Sequence, residues 1–316
     1  MGYPLPVPAF ARPSVLVLGA GGILGEAWMS AVLAGLTDAS GFDARECTGF
    51  VGTSAGSIVA AALAAGIDPR TRLGELPEPP ATTPREEAIG LARRAMTASL
   101  SLGGAAAAPL VALGLRSTEA GGALVRRAAL AGVPAGRRSL AALGKEIERS
   151  GARFDGRLGV CAVELETGRR VVFGQAGAPE APVGAAVEAS CAIPGVFRPV
   201  RIGERRYVDG GAWSLTNLDR APAARGDRVL CLNPTGALRP GLSPLGGIGP
   251  VSRSVAAVEA LAVQRRGARV DVAVPDAASV AALGANLMDW RSRDEVIAAG
   301  LAQGRALAGR RDRPAA

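Results

Sequence analysis

Short apolar runs that end at glycine or serine, each followed by residues with helical spacing, mark the first part of the chain. Val15–Leu18 predicts a buried parallel strand. Residues 23–38 then carry apolar side chains at helical spacing, residues 48–51 predict a second strand, and residues 55–65 predict a helix that starts directly after Ser54. This alternation of strand and helix is typical of a βαβ unit.

The same periodicities continue into the second half of the chain. Residues 158–165 and 169–173 predict a hairpin, with Glu-Thr-Gly as the turn. Further strands are predicted at 200–208, bent around Gly203, and at 229–232 and 270–274, with helices at 183–191, 251–265 and 294–307. Residues 14–309 could form one large α/β domain or two small ones, between an irregular proline-rich lead-in at 1–13 and a frayed tail at 310–316.

Residues 68–150 differ, because they favour helix, are broken by proline and glycine, and show no strand pattern. We interpret them as a helical insertion or cap. Within them, residues 95–115 carry no charge and have a length close to the ~20 residues of a membrane span. Three glycines and a proline interrupt this segment, so we interpret it as a buried cap helix, with a surface that meets lipid as the alternative.

Composition narrows the class of partner. The net charge is +8, mostly from arginine, which suits an anionic membrane surface or a phosphorylated substrate, while an ordinary solvated arginine-rich surface explains most of these arginines equally. Only 3% of residues are aromatic, too few for the stacking that single-stranded nucleic acid requires, so no nucleic-acid partner is expected. Four distant cysteines without a C-x-x-C pair, and the lack of a signal-peptide pattern, predict a cytoplasmic protein with reduced thiols.

Residues 52–56 form a G-x-S-x-G motif around Ser54, between a predicted strand and a predicted helix. A serine hydroxyl needs a neighbouring base, and the chain contains no histidine, which excludes a Ser-His-Asp triad. The remaining bases are carboxylates, the terminal amine and Lys145, the single lysine, which acidic neighbours assign to a solvated helix face. Without histidine, a metal site is also not expected.

A glycine-rich loop at residues 19–25 lies between the first predicted strand and helix. Its backbone N–H groups suit a phosphate or an oxyanion. A dinucleotide fingerprint is the rival interpretation, but Leu24 stands where that motif requires its third glycine, and the next strand ends in the serine motif rather than in an acid.

Asp209 ends another predicted strand and is followed by Gly210 and Gly211, after an unusual run at residues 190–199. With the glycine-rich loop and the G-x-S-x-G motif, this D-G-G turn completes an ordered trio. The chain resembles the patatin-like phospholipases, lipid acyl hydrolases that use a serine–aspartate dyad. The resemblance covers roughly the first two-thirds of the chain.

The resemblance implies a three-layer α/β/α fold with a mainly parallel central sheet, forming one catalytic domain. It implies that Ser54 attacks an ester carbonyl of an acyl lipid or other ester while Asp209 accepts the serine proton, and that water releases the acyl group. The oxyanion hole would be formed by Gly21, Gly22 and Ile23. The glycines that would support the three motifs are Gly25, Gly52, Gly56, Gly210 and Gly211. No cofactor and no calcium are expected, and Leu24 replaces a basic residue usual in the family.

Two alternatives stay open at this point: an acyltransferase with the same dyad, and a non-catalytic nucleotide- or anion-binding α/β protein. An ordinary aspartate has a pKa of ~3.9, which suits a serine proton poorly. We therefore expect Asp209 to be buried in a dry pocket with few hydrogen bonds. Asn217 and Asp219, which follow the D-G-G turn, either brace it or cap a loop.

Overall fold

A computed structural model of the chain describes residues 11–74, 119–238 and 248–309. The strands are β1 Val15–Leu18, β2 Gly49–Thr53, β3 Leu158–Glu164, β4 Arg170–Phe173, β5 Val200–Ile202, β6 Arg205–Asp209, β7 Arg228–Leu232 and β8 Arg269–Ala273. The helices are α1 Gly22–Ser40, α2 Ala55–Ala64, α3 Thr71–Gly74, α4 Glu119–Ala131, α5 Ala141–Arg149, α6 Val183–Ser190, α7 Ile248–Gln264, α8 Ala277–Leu283 and α9 Arg293–Ala308.

The strands form one mixed sheet. They are hydrogen-bonded in the order β5-β6-β3-β2-β1-β7-β8, and β4 also pairs with β3. The pairs β3–β2, β2–β1, β1–β7 and β7–β8 are parallel, whereas β3–β4, β3–β6 and β5–β6 are antiparallel. The predicted α/β fold with a mainly parallel central sheet is confirmed.

Side-chain alternation along the strands divides the core between the two faces of the sheet. Leu16 and Leu18 of β1 pack on one face with apolar side chains of α1, α2, α5, α6 and α9. Val15 and Val17 point to the other face, where α7 packs. The helix α4 joins this second face through Leu130, which contacts β3 and β6. Helices therefore cover both faces, which gives the three layers expected from the sequence.

Most predicted elements lie within a few residues of their predicted bounds, including the β3–β4 hairpin and the bent pair β5–β6. The helix α8 was not predicted, because seven residues are too few to establish a helical period. Its start is set by Asp276, whose side chain accepts a hydrogen bond from the backbone N–H of Ser279.

The structure describes only parts of residues 68–150, which the sequence predicts to be a helical insertion or cap. Its described parts contain α3, α4 and α5 and no strand. Residues 75–118, including the uncharged segment at 95–115, lie outside the described residues, as do 1–10 and the tail at 310–316. None of the helices in the described ranges combines the length and the apolar character that crossing a membrane requires.

All four cysteines are buried and carry free thiols.

A buried glutamine side chain joins α9 to α1. Gln303 of α9 accepts hydrogen bonds from the indole Nε1 of Trp28 at 2.9 Å and from the hydroxyl of Ser279 at 2.8 Å, and it donates to the Val274 carbonyl at 2.7 Å. One side chain therefore ties α9 to α1, α8 and the end of β8.

Replacing Gln303 by Ala should lower the free energy of unfolding by about 3 kcal/mol, because it leaves the buried Trp28 and Ser279 groups and the part-buried Val274 carbonyl without this partner. Urea denaturation followed by circular dichroism measures the change. The exposed Gln264 at the end of α7 is the matched control, and Gln264→Ala should have little effect. Equal stability of the two variants would contradict the role given to Gln303.

Candidate active site

Ser54 stands in the tight turn between β2 and α2. Its backbone has φ 52° and ψ −124°, a conformation that a residue with a side chain rarely adopts. The turn aims the residue at the N-terminus of α2, where the free N–H groups and the helix dipole favour negative charge. Ser54 is 7% exposed. This is the strained strand–turn–helix geometry that the G-x-S-x-G motif requires.

Two neighbouring serines hold the strained turn in place. The Ser54 backbone N–H donates to the hydroxyl of Ser190 at 2.9 Å, and that hydroxyl donates to the Cys161 carbonyl at 2.6 Å. The hydroxyl of Ser57 donates to the Ser54 carbonyl at 2.6 Å. Ser190 at the end of α6 therefore links the turn to β3, a role that its sequence environment does not reveal.

Close packing at the turn explains its flanking glycines. A Cβ atom on Gly56 would collide with the Leu18 carbonyl at the end of β1, and one on Gly52 would collide with the backbone of Ser57. The glycines therefore allow the turn to lie directly against the neighbouring strand and helix.

The register of β3 brings Asp209 to the same place. The last residue of β2, Thr53, pairs with Cys161 of β3. The last residue of β6, Asp209, pairs with the next residue of β3, Ala162. Because β4 occupies the other edge along residues 160–163, β2 and β6 must share one edge of β3. The ends of these two strands therefore meet, and the two predicted site residues become neighbours.

Asp209 is buried, with 5% of its surface exposed. Its carboxylate accepts a hydrogen bond from the Gly211 backbone N–H at 2.7 Å, and the Ser54 hydroxyl lies close enough to lower the pKa of this carboxyl. Burial raises the pKa of Asp209 to about 6, while the hydrogen bonds from Ser54 and Gly211 oppose part of that rise. The carboxyl group thus has the buried environment expected from the sequence.

The glycine-rich loop presents backbone N–H donors beside the turn. Gly22, with φ 61°, begins α1, and Gly21 precedes it. Within the described ranges, the N–H groups of Gly21, Gly22 and Ile23 have no hydrogen-bond partner, whereas that of Leu24 donates to the Leu287 carbonyl at 3.0 Å. Three backbone N–H groups at a helix N-terminus, without partners among the described residues, suit a developing oxyanion.

The remaining residues named from the sequence lie in turns, in the core or on an exposed helix face. Gly25 donates from its backbone to the Gly21 carbonyl at 2.9 Å, and Gly210 follows Asp209 in a short 3₁₀ turn. Leu24, at the position where the family usually has a basic residue, is fully buried in the core. Lys145 is exposed on α5, as expected.

One thiol lies against the site and was not singled out from the sequence. The Cys191 sulfur is 3.9 Å from the Ser57 hydroxyl. Burial and the nearby Asp209 carboxylate raise the pKa of the Cys191 thiol well above its usual range. Since only a thiolate is a strong nucleophile, this cysteine is a buried neighbour of the site rather than a competitor of Ser54.

The fold and the site define an α/β protein in which a strained serine at a helix N-terminus faces a buried aspartate. The family model described as patatin-like phospholipase matches residues 16–221. The chain therefore belongs to the patatin-like phospholipase family, whose members are generally lipid acyl hydrolases.

Among solved structures, VipD from Legionella pneumophila is similar to this chain, with a TM-score of 0.42 and 13% sequence identity. The match covers 95% of this chain and 67% of that chain. No curated protein was found to match the sequence.

Replacing Asp209 by Asn should stabilise the fold at pH 8 by up to about 3 kcal/mol and leave it nearly unchanged at pH 4. The pKa of Asp209 is about 6 in the folded protein against a usual 3.8, so the folded state keeps a proton that the unfolded chain has already released. Stability is therefore lost as pH rises from about 4 to 6, and a neutral asparagine avoids this loss.

Denaturant unfolding at the two pH values measures the effect. Asp271, whose side chain is 68% exposed, serves as the control, and Asp271→Asn should change stability little at either pH. If Asp209→Asn has the same effect at pH 4 and at pH 8, Asp209 does not have the raised pKa.

Proposed function

We propose that the protein is a serine hydrolase that cleaves carboxylic esters of acyl lipids, with Ser54 as nucleophile and Asp209 as general base. The observation that carries the proposal is the buried Asp209 carboxyl, with its pKa raised to about 6, beside the hydroxyl of a serine held in a strained turn. A pKa of about 6 leaves the carboxylate mostly ionised at neutral pH and makes it a better base than an ordinary aspartate.

The positions of these groups support the following sequence of steps. Ionised Asp209 takes the Ser54 proton as the serine oxygen attacks the ester carbonyl, and the N–H groups of Gly21, Gly22 and Ile23 stabilise the oxyanion. Collapse of the tetrahedral species expels the alcohol, which receives the proton from Asp209 and leaves an acyl-enzyme. Water then attacks the acyl-enzyme, Asp209 again accepts the proton, and the departing serine oxygen recovers it.

The surface favours an anionic, lipid-rich setting for this reaction. Several exposed arginines form no ion pair within the described part of the chain: Arg127, Arg137, Arg169 and Arg198. The helix α4 adds the exposed apolar side chains Leu124 and Val125. Arg127 and Arg169 line the same groove as Leu124, and arginine beside an exposed apolar residue suits peripheral contact with an anionic membrane, where each basic residue contributes about 1 kcal/mol. We propose such contact for a cytoplasmic protein, in line with its four free thiols.

A fluorophosphonate probe tests the nucleophile, and a panel of p-nitrophenyl esters and intact phospholipids tests the substrate class. We expect the probe to label the wild-type protein, and labelling and ester hydrolysis to be absent in Ser54→Ala. Asp209→Asn should lose at least about a hundredfold in kcat, the usual contribution of a general base. The labelling rate of the wild-type protein should fall below about pH 6, where Asp209 becomes protonated.

The matched control for Ser54→Ala is Ser14→Ala, which removes a hydroxyl that donates to Asp227 at the opposite end of the sheet. This variant should still be labelled. A wild-type protein that neither reacts with the probe nor hydrolyses any ester, but is stabilised by a nucleotide, would instead support the nucleotide-binding alternative. Substantial turnover by Asp209→Asn would disprove its role as base.

A further inference from the structure

Asn217 shares an unusual backbone conformation with Ser54. In the described ranges, these two are the residues other than glycine with a positive φ, and Asn217 has φ 50° and ψ 34°. It is fully buried. Asparagine tolerates this left-handed region better than most residues, but a buried amide must also satisfy its hydrogen-bonding groups. The structure shows where those groups are directed.

The side-chain amide of Asn217 connects the serine turn to the aspartate turn. Its Nδ2 donates to the Thr53 hydroxyl at 3.0 Å and to the Ser214 carbonyl at 2.7 Å, and its Oδ1 accepts a hydrogen bond from Arg170 at 3.0 Å. Thr53 is the residue before Ser54, and Ser214 belongs to the loop that follows the D-G-G turn. One carboxamide therefore spans the two chain segments that carry the proposed dyad.

Two further groups hold Asn217 and its neighbours in position: the Arg170–Asp219 ion pair and the Glu259 carboxylate. Arg170 of β4 forms a two-pronged ion pair with Asp219, with N···O distances of 2.8 and 2.7 Å, so its position does not depend on Asn217 alone. From α7, the buried Glu259 carboxylate accepts hydrogen bonds from the Thr216 hydroxyl and, at 2.9 Å, from the Leu218 backbone N–H. Both neighbours of Asn217 are thus anchored, which makes the amide a rigid link.

We propose that Asn217 is a positioning residue, which sets the separation of Ser54 from Asp209 through its hydrogen bond to Thr53. The inference rests on the proposed function of the dyad. It goes beyond a loop cap, because a cap would satisfy only its own loop, whereas this amide reaches a side chain 164 residues earlier in the chain.

The consequence for the reaction is geometric. Displacement of a reacting group by about 1 Å can lower the rate roughly a hundredfold. Loss of the link should therefore lower kcat while leaving KM nearly unchanged, since Asn217 is buried behind the two turns. It should also weaken the hydrogen bond from Ser54 to Asp209. Because this bond lowers the pKa of Asp209, its weakening should raise that pKa further.

Two variants test the link, assayed with a p-nitrophenyl ester and the fluorophosphonate probe. Thr53→Val keeps the shape of the side chain and removes the acceptor, and we expect kcat to fall about tenfold with KM unchanged and the acidic limb of the pH profile to move to higher pH. In Asn217→Ala, kcat should fall roughly ten- to a hundredfold. Combined in one protein, the two changes should cost less than the product of their separate effects, because they remove the same bond.

The control is Ser14→Ala, which removes a hydroxyl donating to Asp227 at 2.8 Å beside the start of β1, at the opposite end of the sheet. It should leave kcat and the pH profile unchanged. If Asn217→Ala fails to fold, the kcat and pH profile of Thr53→Val alone test the positioning role of Asn217. Wild-type kcat and an unmoved acidic limb in Thr53→Val would overturn the inference while the dyad stands, whereas an inactive wild-type protein would overturn both.

Discussion

One edge of β3 determines where the candidate site lies. Because β4 covers the opposite edge, β2 and β6 have to follow one another along the same line, and their last residues meet opposite Cys161 and Ala162. The two turns that leave these strands are thereby brought together, although Ser54 and Asp209 are separated by about half of the chain. Backbone pairing therefore supplies the approximate meeting point, and side-chain hydrogen bonds such as that from Asn217 to Thr53 refine it.

The site gathers several locally unfavourable features. Ser54 has a strained backbone, the Asp209 carboxylate is removed from water, and the N–H groups at the start of α1 lack partners within the described residues. Each feature costs stability on its own and persists because the surrounding structure leaves no alternative. Ser190 fixes the strained turn and Gly211 satisfies one carboxylate oxygen. Such concentration of strain and buried charge is typical of functional sites rather than of structural turns.

What the sequence could predict depended on how local each signal was. Strand and helix periodicity located the eight strands and five of the nine helices of the described residues, and the three glycine motifs pointed to the loops that the structure brings together. The brace by Ser190 could not be predicted, since its partners at Ser54 and Cys161 are remote in sequence. The same holds for the contact between Leu24 and Leu287 at the glycine-rich loop. For Asn217, proximity to the D-G-G turn suggested two roles, and only the position of Thr53 distinguishes a brace from a cap.

In the proposed reaction, the lack of histidine places opposing demands on Asp209 as the base. Deeper burial would raise the pKa and strengthen the base, but a carboxyl with a pKa well above 7 would be protonated at neutral pH and unable to accept the serine proton. The hydrogen bonds from Ser54 and Gly211 oppose the effect of burial, and the pKa settles at about 6. This value keeps the group mostly ionised at neutral pH and still about two units more basic than a solvated aspartate. Under the proposed mechanism, a few hydrogen bonds to a buried carboxylate tune it toward the role that an imidazole has in serine hydrolases with a Ser-His-Asp triad.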